Sequence, residues 1–269
     1  MIRSWLFNAA YWLFSVSYVL IALPLLAIPG NSVIRWWIRQ YTNSIRWSLR
    51  VFGGVKHEVR GKEHLPDGAF VIAAKHQSWG DGFLIYPEIK DIAFVTGDHL
   101  EKFPFVSGIL HKLGAIVIDT CGGGDRKAAS LAKGTSRVKS EGRRVLIYPE
   151  GHLAPVDYHF RYKPGAWHLA RSMDVPIVPV ATNIGLYWGQ EDFRKTPGTA
   201  ILEFLPPIMP EQDKSATMAD LTRLIETKTA ELVAEGRNAE IRPTILLDDP
   251  NHGELAQRPE DADVSQTSA

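Results

Sequence analysis

A histidine and an aspartate five positions apart are the residues of this chain best suited to chemistry. His76 and Asp81 lie in the segment Lys-His-Gln-Ser-Trp-Gly-Asp. Imidazole titrates near neutral pH, and a carboxylate beside it fixes its tautomer, so such a pair makes a general base. The same spacing recurs in His152 and Asp157, but only the first pair stands between a strand-like run and a helix-like segment. We therefore predict that His76 is a catalytic base held by Asp81.

Asp81 has a second interpretation. The first turn of a helix carries a partial positive charge, which favours a carboxylate at that position. In this alternative, Asp81 serves only the start of the following helix, and His76 is an ordinary loop histidine.

Other catalytic signatures are absent from the sequence. It has no Gly-x-Ser-x-Gly elbow for a serine hydrolase and no His-Glu-x-x-His or paired-cysteine pattern for zinc. His152, His159 and His168 do not share metal-ligand spacing, so we predict neither a metal nor a cofactor. The glycines 122–124 form too short a run for a phosphate-binding loop. What remains is direct transfer, in which the base takes a proton from a bound hydroxyl and that hydroxyl attacks an activated acyl group.

Strand-like and helix-like segments alternate after residue 53. The predicted strands are β-branched or continuously apolar, and Gly, Pro or charged residues bound most of them. They cover residues 55–59, 69–74, 92–96, 115–119, 145–148, 177–182 and 200–204. The predicted helices cover residues 81–86, 105–113, 125–140, 164–172 and 215–235. This alternation predicts an α/β fold, a mixed sheet with helices on both faces. Reactive groups gather where such strands end, and His76 and Glu150 each follow a predicted strand.

The overall composition excludes some classes of partner. Thirty Lys and Arg residues balance 30 Asp and Glu residues, so no global charge favours nucleic acid. The single cysteine, Cys121, excludes an internal disulfide framework and fits a reducing cytosol. We interpret Cys121 as a small loop residue and not as a nucleophile.

The first 34 residues predict membrane contact. No charged side chain occurs between Ser4 and Ile34, and about 20 apolar residues suffice to cross a bilayer. Pro24 and Pro29 each disrupt a helical ladder, so a shallow hairpin in one leaflet is an alternative to a spanning helix. A cleaved signal peptide fits less well, because the apolar stretch is too long and no small-x-small cleavage site follows it.

The following segment has the pattern of a basic amphipathic helix. Apolar residues recur at spacings of three and four from Ile34 to Phe52, and tryptophans lie among them. A neighbouring face carries the arginine stripe, which consists of Arg35, Arg39, Arg46 and Arg50. Such a helix suits an anionic lipid surface, and its arginines favour the cytoplasmic side. The alternative is a core-facing helix with a solvated basic side, and the neighbouring apolar segment favours the membrane. We predict that residues 1–52 anchor the chain to the inner (cytoplasmic) membrane with the catalytic domain, residues 53–245, facing the cytoplasm. The acidic tail, residues 246–269, is predicted to be disordered.

Three segments in order resemble the lysophosphatidate (1-acylglycerol-3-phosphate) acyltransferase family. Residues 75–81 resemble its first block, His-x-x-x-x-Asp. Residues 148–152, Tyr-Pro-Glu-Gly-His, resemble its Phe-Pro-Glu-Gly-Thr block. Residues 175–180, Val-Pro-Ile-Val-Pro-Val, resemble its fourth block. The resemblance covers roughly residues 55–207, and three blocks in register are much more specific than any one of them.

The resemblance implies a mechanism and a set of site residues. His76 would deprotonate the hydroxyl of a lysolipid acceptor, with Asp81 holding the imidazole. The hydroxyl would attack the thioester of acyl-CoA or acyl carrier protein, while backbone amides stabilise the oxyanion. The residues that would shape the acceptor site by analogy with the family's third block are Pro149, Glu150, Gly151 and His152.

The sequence departs from the family where cations are expected. Thr120 stands where the second block ends in arginine, Gly97 stands where many relatives have lysine, and His152 replaces Thr or Ser. The two missing cations are thought to hold the acceptor phosphate, and Arg126, Lys127, Arg161 or Lys163 are candidates to replace them. The predicted acceptor is therefore either lysophosphatidate or a lyso-aminolipid of the ornithine-lipid type. A non-catalytic lipid-binding protein and a lipid hydrolase remain alternative functions.

Overall fold

The computed structural model describes residues 1–102, 105–119, 124–190, 193–238 and 255–257. Its helices are α1 (Ile2–Leu25), α2 (Ser32–Ser48), α3 (Asp81–Ile85), α4 (Val106–Leu113), α5 (Gly124–Ser140), α6 (Gly165–Met173) and α7 (Lys214–Gly236). Its strands are β1 (Val55–Arg60), β2 (Val71–Ala74), β3 (Ile92–Gly97), β4 (Ile116–Ile118), β5 (Arg144–Ile147), β6 (Tyr158–Phe160), β7 (Ile177–Thr182), β8 (Gly198–Phe204) and β9 (Leu255–Gln257).

A seven-stranded mixed sheet forms the centre of the fold, which confirms the predicted class. The strand order is β1-β8-β7-β2-β5-β3-β4. All neighbours run parallel except β7 and β8, which are antiparallel. Every residue of β2 and β7 is buried, as expected for central strands covered on both faces. All seven predicted strands are present, with ends that differ by at most two residues.

Alternate residues of β2 point into two different apolar cores. Ile72 and Ala74 join the core beneath α1, α2 and α3, whereas Val71 and Ala73 join the core beneath α5, α6 and α7. This alternation is the period of two that a strand imposes on its side chains. Helices therefore cover both faces of the sheet, as predicted.

Two strands were not predicted from the sequence. β6 and β9 pair in an antiparallel two-stranded ribbon, and each has only three residues, too few for a recognisable pattern. β9 lies within residues 246–269, the tail that the sequence predicts to be disordered. The rest of the tail lies outside the described residues.

The two N-terminal helices form an antiparallel hairpin. The Ser15 hydroxyl of α1 lies 2.8 Å from the Tyr41 hydroxyl of α2, and the Trp37 indole N–H donates to the Tyr18 carbonyl at 2.9 Å. Few side chains of α1 are buried, namely Ser4, Phe7 and Ala22. Its outward side chains are large and apolar, with exposed fractions between 48% and 64% at Trp5, Leu6, Trp12, Leu13, Val16, Leu20 and Ile21.

Three members of the arginine stripe, Arg35, Arg39 and Arg46, lie on α2 and contact the sheet domain, so the prediction that they face lipid is wrong. Arg39 donates to the carbonyls of Pro87 and Ile89 at 2.6 and 2.7 Å. Arg46 pairs with Glu88, and Arg35 lies 3.5 Å from Asp91. The loop before β3 supplies these carbonyl and carboxylate partners, which helical periodicity alone cannot reveal. The stripe fastens the hairpin to the sheet domain.

His57 makes this attachment sensitive to pH. Its Nε2 lies 2.8 Å from an Arg46 nitrogen, so it must accept a hydrogen bond and stay neutral. Burial lowers the pKa of His57, and the Arg46 charge lowers it further. As the pH falls, the unfolded chain therefore binds a proton at His57 at a higher pH than the folded chain does. The stability that neutral His57 contributes is present above about pH 6.5 and is lost as the pH falls below that value. We expect the melting temperature of the wild type to fall more between about pH 7.5 and 5.5 than that of His57→Gln, whose amide oxygen still accepts from Arg46. Parallel curves for the two proteins would contradict this.

Candidate active site

The predicted reactive residues meet at the carboxyl edge of the sheet. β2 and β5 are neighbouring parallel strands, so the segments that leave them run side by side. His76 follows β2, and Glu150 follows β5. The two residues are joined directly, because the His76 backbone N–H donates to the Glu150 side-chain Oε2 at 3.2 Å.

His76 and Asp81 form the hydrogen-bonded pair that the sequence predicts. His76 Nδ1 lies 2.9 Å from Asp81 Oδ2. The carboxylate is fully buried, whereas the imidazole is 22% exposed. With Nδ1 donating to the carboxylate, Nε2 is left as the basic nitrogen. The pair has the geometry of a general base with its orienting carboxylate.

Asp81 also orders the turn between the two residues. Its Oδ2 accepts the backbone N–H groups of Gln77 and Ser78 at 2.8 and 2.9 Å. The carboxylate therefore reaches back to the catalytic loop, residues 75–80 between β2 and α3, and its hydrogen bonds among the described residues go to residues before α3. The alternative in which Asp81 serves only the start of that helix does not describe this geometry.

The aromatic ring of Tyr148 packs against one face of the His76 imidazole. Its ring stacks on the His76 ring with centroids 3.9 Å apart and planes 13° from parallel. Burial raises the pKa of Tyr148 well above its ordinary value, and the Asp81 charge adds to this. The phenol is therefore neutral, and its hydroxyl has no hydrogen-bond partner among the described residues. The sequence singled out this position only as the first residue of a motif.

Tyr148→Phe is expected to leave acyl transfer within about threefold of the wild type, because the stacking ring remains. It should also raise the free energy of unfolding by about 1 kcal/mol, since an unpaired buried polar group is removed. Denaturant unfolding and initial rates check the two parts. Tyr148→Leu, which removes the stacking ring, serves as the contrast and should lose activity. A large loss of activity in Tyr148→Phe would show instead that the hydroxyl takes part in the reaction.

Glu150 does not face an open acceptor site, contrary to the prediction for it. The residue is fully buried. Its Oε1 accepts from Lys75 Nζ at 2.6 Å and from the Phe160 N–H at 3.1 Å. Burial raises the pKa of Glu150, and the Lys75 charge opposes that rise. The Glu150 carboxylate therefore binds groups of the protein itself, and the backbone N–H of His76 is one of them.

The loop after Glu150 folds back and brings Lys163 to Gly151. The Lys163 N–H donates to the Pro149 carbonyl at 2.8 Å. Gly151 has a φ of +73°, and a Cβ there would fall 2.7 Å from Lys163 Nζ. The positive φ favours glycine at this position, and the nearest group to it is the end of the flexible Lys163 side chain. The His152 ring packs edge-on against Phe160 with centroids 5.6 Å apart. Of the predicted acceptor residues, the structure thus gathers Pro149, Gly151 and Lys163.

Arg126, another candidate acceptor contact, lies away from this loop. The Arg126 side chain is 78% exposed and lies 3.8 Å from Asp119, at the end of β4. β4 is one of the two edge strands of the seven-stranded sheet, separated from β2 by β5 and β3. Thr120, like Cys121, lies outside the described residues.

Comparison with known proteins agrees with the motifs. A family model described as Acyltransferase matches residues 56–183. A 1-acyl-sn-glycerol-3-phosphate acyltransferase of Pseudomonas aeruginosa is 30% identical over 77% of this chain and 80% of its own length. A 1-acyl-sn-glycerol-3-phosphate acyltransferase of Saccharomyces cerevisiae is 27% identical over 77% of this chain and 69% of its own length.

A solved structure shares the fold. The crystal structure of the 1-acyl-sn-glycerophosphate (LPA) acyltransferase PlsC from Thermotoga maritima superposes with a TM-score of 0.71. The match covers 87% of this chain and 97% of that chain at 20% sequence identity. At that identity the likeness supports the architecture of the sheet and its helices.

Proposed function

We propose that this chain transfers a fatty acyl group from a thioester to the free hydroxyl of a lysolipid. The chain belongs to the 1-acyl-sn-glycerol-3-phosphate acyltransferase family and is an acyltransferase. The observation that carries the proposal is the hydrogen bond between His76 and the buried Asp81 carboxylate. Transfer also suits a site beside an apolar surface helix. The donor is acyl-CoA or acyl carrier protein, both of which present the acyl group as a thioester.

Each residue of the pair has a distinct role in this mechanism. Nε2 of His76 takes the proton of the acceptor hydroxyl as its oxygen attacks the thioester carbonyl. Asp81 stabilises the imidazolium that forms, and backbone amides stabilise the oxyanion. The C–S bond then breaks, and the imidazolium returns its proton to the leaving thiolate. The protein supplies no covalent nucleophile.

Lysophosphatidate is the acceptor we favour. The relatives are named for this type of substrate, and the Lys163 ammonium lies beside the Gly151 backbone in the loop next to His76. A lysine there can hold a phosphate as a point charge. Gly97 and Thr120, in the positions where the family's cations are expected, keep a lyso-aminolipid acceptor as the second candidate.

Acyl transfer by the purified, detergent-solubilised chain tests these acceptors. Labelled acyl-CoA and acyl carrier protein would each be supplied with lysophosphatidate or with a lyso-aminolipid, and His76→Ala would serve as the control. Lysophosphatidate product that depends on His76 supports the favoured acceptor. Product from the aminolipid alone identifies the second candidate. Release of free fatty acid without transfer would mean hydrolysis.

The position of α1 favours insertion into one leaflet over a spanning helix. At 24 residues α1 is about 36 Å long and apolar enough to cross a bilayer. Both of its ends nevertheless pack against the catalytic domain. Phe7 contacts Trp188 with ring centroids 5.0 Å apart, and Ala22 is buried with Ile109 and Leu113 of α4. We propose that α1 lies along the cytoplasmic face of the inner membrane with its exposed apolar side in the lipid.

Leu13→Glu is expected to weaken binding to phospholipid vesicles by about 10- to 100-fold, because one large apolar contact of about 1.5–3 kcal/mol is lost. Vesicle co-sedimentation measures this. Met209→Glu is the matched control, since Met209 is also an exposed apolar residue, at 61%. It adjoins Ile208, which pairs with Ile177 at the start of β7, whereas α1 contacts Trp188, which follows the end of β7. Equal binding by the two variants would contradict the placement of α1.

A further inference from the structure

A buried lysine precedes the catalytic histidine. Lys75 is completely buried, which is rare for a lysine unless its charge is paired. Its ammonium donates to Glu150 Oε1 at 2.6 Å, to Glu226 Oε1 at 2.9 Å and to the Tyr158 carbonyl at 3.0 Å. Three acceptors match the three protons of an ammonium group, so its hydrogen bonding is complete.

The second carboxylate comes from a distant part of the chain. Glu226 lies on α7, 151 positions after Lys75, and is 5% exposed. The same Oε1 that binds Lys75 also accepts from the Tyr162 hydroxyl at 2.7 Å. The ion cluster, defined here as Lys75, Glu150 and Glu226, thus joins the end of β2, the loop after β5 and α7.

The ion cluster ends at the main chain of His76. Glu150 binds Lys75 through one oxygen and the His76 N–H through the other. On the other side, the His76 carbonyl accepts from the Ala154 N–H at 2.7 Å. The backbone of the base is therefore fixed from both sides, and its ring is fixed by Asp81.

Stability alone is a poor explanation for this arrangement. Removing charges from water costs several kcal/mol per ion, and well-packed apolar residues often do as well or better. One ammonium between two carboxylates is also not charge-balanced if both carboxylates are ionised. A hydrogen-bonded ion cluster does fix geometry, and an error of about 1 Å at a reacting centre can lower a rate by about 100-fold.

We propose that Lys75 and Glu226 are positioning residues for the reaction, and that Glu226 acts on His76 through Lys75 and Glu150. The proposal rests on the proposed function of His76 as the base. In this proposal α7 stabilises the position of the catalytic loop, although it supplies no residue to the His76–Asp81 pair.

Two substitutions of Glu226 separate positioning from folding. Glu226→Leu removes one of the three acceptors of the Lys75 ammonium, whereas Glu226→Gln keeps an acceptor oxygen there. We expect Glu226→Leu to lower kcat by about 10- to 100-fold with little change in KM, and Glu226→Gln to recover most of that loss. Rates would be measured well below each melting temperature, with the acyl donor and acceptor that the wild type uses. Glu235→Leu is the matched control, because Glu235 lies on the same helix with a half-exposed side chain paired to Arg60.

A proton NMR experiment needs no substrate. The Nδ1 proton of His76, in its hydrogen bond to Asp81, should give a low-field resonance that is missing in His76→Ala. We expect this resonance to shift or broaden in Glu226→Leu and to stay unchanged in Glu235→Leu. If kcat and the resonance both match the wild type in folded Glu226→Leu, the positioning role is wrong. A raised KM at unchanged kcat would also overturn it, because Glu226 would then act on substrate binding. Full turnover in His76→Ala would instead refute the proposed function, so the two failures are distinguishable.

Discussion

His76→Ala is expected to lower acyl transfer by about 10²- to 10⁴-fold, the range that a general base contributes. The truncation removes the nitrogen that accepts the acceptor's proton, while Asp81 keeps its bonds to the Gln77 and Ser78 N–H groups. The loop that carries the base should therefore stay folded. Initial rates with labelled acyl donor measure the loss, and thermal unfolding measures the state of the fold.

Lipid binding by His76→Ala distinguishes an enzyme from a non-catalytic lipid-binding protein. Vesicle binding should be unchanged in His76→Ala, because the exposed apolar side of α1 is untouched. His168→Ala, at an exposed position on α6, is the control for loss of a histidine as such. If His76→Ala and the wild type show the same lipid binding and the same absence of turnover, the chain is a non-catalytic lipid-binding protein. If both turn over equally, the base lies elsewhere.

The central sheet could be predicted because its signals are local. Each of the seven strands is a run of apolar or β-branched residues bounded by breakers, and burial on both faces makes such runs continuous. The pair His76 and Asp81 was predictable for the same reason, since five positions and one turn separate the two groups. β6 and β9 were missed because three residues carry too little pattern.

The roles of charged residues were predicted less well, because a charge finds its partner through the fold. The periodicity of α2 placed its arginines on one face but could not show that Pro87, Ile89 and Glu88 would meet that face. Glu150 was predicted to touch the acceptor, although Lys75 and the His76 N–H occupy its carboxylate. Lys75 gave one signal, a lysine directly after an apolar strand, but its partner Glu226 is too distant in sequence to be inferred.

Asp81→Asn is expected to lower kcat by about 10²- to 10⁴-fold, because the buried negative charge that stabilises the imidazolium is lost. Asparagine has nearly the same shape, and its side-chain oxygen can still accept from His76 Nδ1 and from the backbone N–H groups of Gln77 and Ser78. The fold of the catalytic loop and the KM values should therefore change little. Steady-state kinetics and thermal unfolding check the two expectations.

Asp157→Asn is the matched control for this substitution. Asp157 also follows a histidine by five positions, but its two carboxylate oxygens each lie 2.6 Å from an Arg237 nitrogen at the surface. Its replacement should leave kcat within about threefold of the wild type, because surface ion pairs contribute little. If Asp81→Asn also kept kcat within about threefold, Asp81 would hold the loop without supporting the base. If Asp81→Asn unfolded the protein, the Asp81 charge would be needed for the fold. His76→Ala would then separate support of the fold from support of the base, because it keeps the carboxylate and removes only the base.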